Sequence, residues 1–280
     1  MVWIIKKGIS CLFILLGVTF VTFFLMQLAV GDAISYFYEN QGTAVSPEIM
    51  DAMRKKYGLD QPFLLQYGHW LLHALTGDMG ESYVSGRAVL PLLASRIPHT
   101  MYLAAVSVAL TLMVSIPLGI LSAVRKDGWC DSLAVKLKWF PAVSVGTSPS
   151  VVLPAVTLAI AMSVKYTRQI RGVVLSELGK GYVMGARARG VSEGTILWKS
   201  VIPMASPAIV TLLAISIGSL LSGTAVVETI FLWDGVGKLA VDAIMQRDYP
   251  IIQAYVVWMA GIYILVNGAG DVVSRLLGKR

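Results

Sequence analysis

Residues 182–207 read Y-V-M-G-A-R-A-R-G-V-S-E-G-T-I-L-W-K-S-V-I-P-M-A-S-P. This polar, basic stretch lies between long apolar segments. Arg187, Arg189 and Lys199 outweigh Glu193, and Gly185, Gly190 and Gly194 divide the stretch into short pieces. Ile196, Leu197, Trp198, Val201 and Ile202 give the second half an apolar side, and Pro203 and Pro207 mark entry into the next apolar run. The pattern predicts one or two short helices with a glycine elbow at Gly190. On its own the stretch also fits a solvated basic loop on the cytoplasmic side of a membrane.

The surroundings favour a membrane. Of 280 residues, 56% are hydrophobic and only 14% charged, with a mean hydropathy of +0.72. Soluble domains carry roughly 25% charged residues. The net charge of +7 sits mostly beside apolar spans, which points to membrane orientation rather than nucleic acid. Cys11 and Cys130 lie in unlike contexts and imply no disulfide framework. No phosphate-binding G-x-x-x-x-G-K-[ST] loop occurs, so any ATP is bound elsewhere.

Apolar runs predict spans at about 9–30, 101–124, 151–164, 208–231 and 251–266. Lys6 and Lys7 place the N-terminus inside the cell, and Arg275, Lys279 and Arg280 do the same for the C-terminus. Residues 31–98 form a long acidic external loop between an N-terminal span (1–30) and a core (99–280) containing the basic loop 179–207. Pro47 opens a helix within that loop, with Ser46 as its cap, and Gln66 to Leu75 reads as an interfacial helix with Tyr67 and Trp70 at headgroup level. His69 and His73, four apart, are weak metal-ligand candidates, with ordinary interfacial histidines the blander reading. Another short helix is expected over about 237–245.

Gly218/Ser222 and Ser219/Gly223 are small-x-x-x-small pairs on the fourth span. They let helices pack closely, and they are compatible with a pathway lining. Glu228 at the end of that span needs pairing or water; Arg247 or Lys238 are candidate partners, and a cargo contact is the alternative.

With these residues in place, the chain resembles inner-membrane permeases of ABC importers, in the dipeptide/oligopeptide/nickel branch. That family carries a loop with E-A-A, three residues, Gly, nine residues and an apolar block ending in Pro. Here Gly190 is followed by Val191 to Lys199 and then Ser200-Val201-Ile202-Pro203. The E-A-A positions fall on Met184-Gly185-Ala186, so only Ala186 matches. Y-G-L-D-Q-P (57–62), G-D-M-G-E-S (77–82), R-I-P-H-T (96–100), V-V-E-T-I-F (226–231) and R-D-Y-P (247–250) add to the resemblance.

The resemblance implies an all-α polytopic bundle of the type I importer permease fold in the bacterial inner membrane. It implies a second homologous permease, two ATPase subunits that bind ATP and Mg, and an external solute-binding protein. This chain would bind no cofactor and no nucleic acid and would not be an enzyme. Ala186, Arg187, Ala188, Arg189, Gly190, Val191, Ser192, Glu193 and Pro203 would couple it to an ATPase. The cargo would be nickel, a nickel chelate, or short peptides. A secondary transporter, or a membrane enzyme using Glu228, Asp271 and His99, are the remoter readings; no H-E-x-x-H or G-x-S-x-G motif supports the latter.

One span of the family's six is missing from the pattern. Asp131 and the block Leu137, Trp139, Pro141 match landmarks that flank the third span in the family, yet stand only a few residues apart. Arg125/Lys126 and the basic region 165–199 both read as inside, and the intervening 33 residues (132–164) fall short of the roughly 40 that two crossings need. The expectation is a distorted or partly re-entrant hairpin over 133–164, with the Gly190 loop kept cytoplasmic.

Overall fold

The computed structural model describes residues 2–28, 47–56, 58, 60–124 and 151–277. Its elements are α1 (Val2–Leu28), α2 (Pro47–Lys56), α3 (Phe63–Leu75), α4 (Val89–Val124), α5 (Val152–Leu178), α6 (Gly181–Ala188), α7 (Glu193–Ile196), a π-helical turn (Leu197–Val201), α8 (Ile202–Ile230), α9 (Val236–Gln246) and α10 (Tyr249–Leu277). The all-α expectation holds; the described residues add only an isolated bridge between Glu81 and Ala88.

Four described stretches are long and apolar enough to cross a membrane: Gly8–Leu28, Val89–Val124, Glu193–Gly218 and Tyr249–Ser274. Helices overrun the apolar runs because backbone hydrogen bonding continues into polar flanks. Thus α4 starts twelve residues before the expected Met101 and continues through Pro98 and Pro117. The short run 151–164 is the first half of α5, whose second half carries Lys165, Arg168 and Arg171. Residues 152–164 are regular helix. The rest of the expected hairpin, with Asp131, Leu137, Trp139 and Pro141, lies outside the described residues, as do Ser46 and Tyr57.

The chain divides into two compact units, residues 1–100 with 232–264, and residues 101–231 with 265–280. In the first unit, Val89 and Leu93 of α4 pack against Val236, Leu239 and Ala243 of α9 and Ile251 and Ala254 of α10. Polar contacts around this core join the short motifs. Thr100 Oγ1 accepts the Val236 N–H at 2.8 Å, the Trp233 indole donates to the His99 carbonyl at 3.2 Å, and Arg96 lies 3.3 Å from Asp234. Asp248 is buried just ahead of α10. Its carboxylate accepts from the Ser82 hydroxyl and from the backbone N–H groups of Tyr83, Val84 and Ile251. R-D-Y-P thus clamps G-D-M-G-E-S.

Also in this unit, α3 crosses α1 through an aromatic cluster. Phe20 meets Phe63 and Tyr67 with ring centroids 5.5 and 5.3 Å apart, and Phe23 lies 6.4 Å from Trp70. The Tyr67 hydroxyl reaches Thr19 Oγ1 at 3.0 Å and the Leu16 carbonyl at 3.3 Å. Thr19 is the one buried side chain among those described on α1. Tyr67 therefore bonds to the middle of α1. Gln253 of α10 donates to the Thr19 carbonyl at 3.0 Å, fixing the same level from the other side of the sequence.

In the second unit, small residues set the helix spacing. A Cβ on Gly119 would lie 2.8 Å from Ile170 Cγ2, and one on Gly270 would lie 2.2 Å from Ala214 Cβ. Both glycines let backbones approach where any side chain would collide. Arg171 donates to the Ser122 carbonyl at 3.2 Å, tying the basic half of α5 to the end of α4.

Candidate functional site

The 182–207 stretch forms two short helices about an elbow. Helix α6 is capped by Arg189, and Gly190 takes φ +77°, the left-handed conformation that side chains resist. The Gly190 N–H returns to the Arg187 carbonyl at 2.9 Å and the Val191 N–H to the Ala186 carbonyl at 3.2 Å. These are the paired bonds of a Schellman motif with Gly190 in the position after the cap. Ser192 then precedes α7, and its hydroxyl sits 2.9 Å from that of Thr195. Arg187 closes the elbow with a two-pronged bond to Glu193, at 2.6 and 3.1 Å. The hydrogen bond and charge of Arg187 hold the Glu193 carboxyl below its ordinary range.

The elbow has a buried side and an exposed side. Val183, Ala186, Ile196 and Val201 pack under it against Ala123, Ile170 and Val174. Facing solvent are Tyr182, Met184, Arg187, Ala188, Arg189, Gly190, Val191, Ser192, Glu193, Trp198 and Lys199. Of the expected coupling residues, only Ala186 is buried; Pro203 lies at the start of α8, past the elbow. Pro203 also explains the π turn before it. It has no N–H for the Lys199 carbonyl, and its ring would crowd that carbonyl, so the helix widens over Leu197–Val201. Pro207 in turn leaves the Pro203 carbonyl without its helical donor, and the Ser206 hydroxyl supplies one at 2.8 Å. Helix thus runs from Glu193 to Ile230, linking the exposed platform directly to a long apolar helix.

Gly218, Ser219, Ser222 and Gly223 all lie on α8. A Cβ on Gly223 would just touch Met162 of α5, an ordinary packing contact. The side chains of Ser219 and Ser222 lie outside the described set. Glu228 is fully buried. His69 and His73 are exposed on α3, with His73 3.5 Å from Asp78, and the described residues hold no group of three or more potential metal ligands. Sequence reasoning passed over the buried hydroxyls of Ser107, Thr111 and Ser115 on α4. Their four-residue spacing was the available signal. The pairing of Ser82 with Asp248, 166 residues apart, has no such signal in the sequence.

Several helices long and apolar enough to cross a membrane, with an exposed basic elbow between two of them, define a polytopic membrane protein. The chain belongs to the family described as "Binding-protein-dependent transport system inner membrane component", which matches residues 108–280, and the N-terminal component of the same systems matches residues 1–104. It is an ABC importer permease of the peptide/nickel type and not an enzyme.

The chain is 34% identical to the oligopeptide transport system permease protein AppB of Bacillus subtilis, covering 99% of this chain and 98% of that one. It is 30% identical to the metal-staphylopine import system permease protein CntB of Staphylococcus aureus, over 99% and 97% of the two chains. For the glutathione transport system permease protein GsiC of Salmonella typhimurium the figures are 31%, 97% and 95%. The alignment with the B. subtilis protein runs over 317 positions, 37 more than the 280 residues here, so at least that many have no counterpart in this chain. Among solved structures, the MetNI methionine ABC transporter in an inward-facing form matches with a TM-score of 0.58 at 20% identity, covering 66% of this chain and 96% of that one. That likeness concerns the fold.

Proposed function

We propose that this chain pairs with a second permease and carries a short peptide, or a nickel chelate of similar size, delivered by an external binding protein. Two ATPase subunits, binding ATP and Mg, drive it from the cytoplasm. The observation that carries the reading is the elbow. Its underside is fixed in the core, its outer face is free, and its far end continues into α8 without a break. A push on the outer face therefore reaches a membrane helix through rigid backbone rather than through a loose loop. Gly218, Ser219, Ser222, Gly223 and Glu228 are the proposed pathway or gating positions on that helix. The cargo class is supported by the oligopeptide, glutathione and metal-staphylopine names of the relatives.

Deleting the chain should abolish uptake of a labelled dipeptide, or of nickel supplied with an amino-acid-derived chelator, while leaving other importers intact. Losing one and keeping the other decides the cargo. Normal uptake of both would overturn the reading.

The same proposal places both termini and the Gly190 elbow in the cytoplasm, with one of the family's spans absent. The unmatched positions against the B. subtilis relative exceed the length of one helical crossing, about 20 residues. A cysteine at Ser192, in a background without Cys11 and Cys130, should resist a membrane-impermeant label in intact cells and react after lysis. Labelling in intact cells would put the elbow outside.

A further inference from the structure

Helix α3 presents two faces of different fate. One carries Phe63, Tyr67 and Trp70 into the aromatic cluster on α1. The other carries Leu64, Leu72 and Leu75, which are 69%, 64% and 76% exposed. Their spacing of eight and three residues sets them in one row along the helix. Such a row in water would be a costly apolar surface on a short helix.

Depth resolves the conflict. The apolar run of α1 is Gly8–Leu28. Thr19, which meets the Tyr67 hydroxyl, lies nine residues before Leu28, a rise of about 13 Å at 1.5 Å per residue. Half the hydrocarbon core is about 15 Å. Tyr67 thus reaches nearly to the membrane midplane, and Phe63 and Trp70 meet α1 at Phe20 to Phe24, within the same half. The Tyr67 hydroxyl satisfies its bonding on the Leu16 carbonyl and Thr19, as a polar group needs to at that depth. His69 and His73 fall in a neighbouring row with Leu65, and His73 reaches Asp78 beyond the helix end, so the polar groups sit at the rim of the leucine row.

We propose that α3 lies inside the leaflet on the Leu28 side of the membrane, with its Leu64–Leu72–Leu75 row binding phospholipid acyl chains. The segment between the first two spans is then anchored in lipid rather than held above it. The inference uses the membrane placement of α1 and is independent of cargo and of ATPase coupling.

Nitroxide labels at Leu64→Cys and Leu72→Cys, in the full chain without Cys11 and Cys130, test this in phosphatidylethanolamine/phosphatidylglycerol liposomes. Phe13→Cys, exposed on α1, serves as the lipid reference and Gln61→Cys as the reference beyond α3. The ratio of oxygen to nickel-EDDA collision rates should match Phe13 and exceed Gln61 several-fold. A ratio matching Gln61 would show a water-facing row. Both rates falling well below those at Phe13 would show that protein covers it. Either result overturns the proposal, and an aqueous ratio at Phe13 itself would instead overturn the placement of α1. Should one variant fail to insert, Leu75→Cys reads the same row.

Discussion

Replacing Gly190 with valine is expected to abolish cargo-stimulated ATP hydrolysis in the assembled importer while leaving membrane insertion intact. The reason is local. Gly190 has φ +77°, and a Cβ built there meets nothing within 4 Å. The penalty is therefore conformational rather than steric crowding by neighbours. A non-glycine residue held in the left-handed region costs of order 1–3 kcal/mol, with β-branched residues the worst placed. Undoing the turn relieves that strain. It would break the Gly190 and Val191 backbone bonds to Arg187 and Ala186, and with them the alignment of Arg187 and Glu193. The underside, held by Val183, Ile196 and Val201, would stay packed. The result would be an inserted chain with a misdirected platform. Asparagine tolerates the left-handed region, so Gly190→Asn should retain most of the stimulation. Normal stimulation in Gly190→Val, measured with the ATPase subunits and binding protein present, would sink the coupling role; equal losses in both variants would point to a side-chain clash with the ATPase instead of backbone strain.

The elbow was readable because glycine, unlike other residues, is spent where φ must be positive, and because the apolar residues after it recur at helical spacing. Its spacing to Pro203 also carried the family resemblance. Helix ends were less readable. Pro98 looked like a boundary, yet α4 runs through it because Val89 and Leu93 find a core against α9 and α10 that apolar-run length does not register. The second half of α5 reads in sequence only as a charged boundary, although Ile170 beside Arg171 and Val174 just after it are buried. Residue type suggests a membrane-surface position for Tyr67 but does not name its partners on α1, Thr19 and the Leu16 carbonyl. Contacts between positions 48 or 166 residues apart, such as Thr19 with Tyr67 or Ser82 with Asp248, leave no periodic trace in one sequence.

That last pair supports the second large effect. Asp248→Ala is expected to unfold the part of the first unit around the Gly77–Gly86 loop, and Asp248→Asn to do so far less. Asp248 is buried and takes donors from Ser82, Tyr83, Val84 and Ile251. Alanine leaves these without an acceptor, and each buried donor so stranded costs about 1–3 kcal/mol. The loop from Gly77 to Gly86 would come away from the start of α10, although Ser85 would still donate to Ser82 at 2.9 Å. Asparagine keeps one acceptor oxygen of the same shape. Charge refines the test. Burial pushes the Asp248 carboxyl above its ordinary range, and the four hydrogen bonds pull it only part of the way back. A raised carboxyl holds its proton more tightly folded than unfolded. Its stabilising contribution is thus present below the ordinary carboxylate range and declines as pH rises through that range towards the raised value. Acidification across this window should therefore leave the clamp intact, and Asp248→Asn should lose that pH dependence. Thermal unfolding of the purified full chain, followed across pH for all three proteins, reads both effects. Equal stability of Asp248→Ala and the parent would mean that the clamp holds nothing, and wild-type stability that declines on acidification through this window, with Asp248→Asn unaffected, would mean that its carboxylate is favoured over the protonated acid.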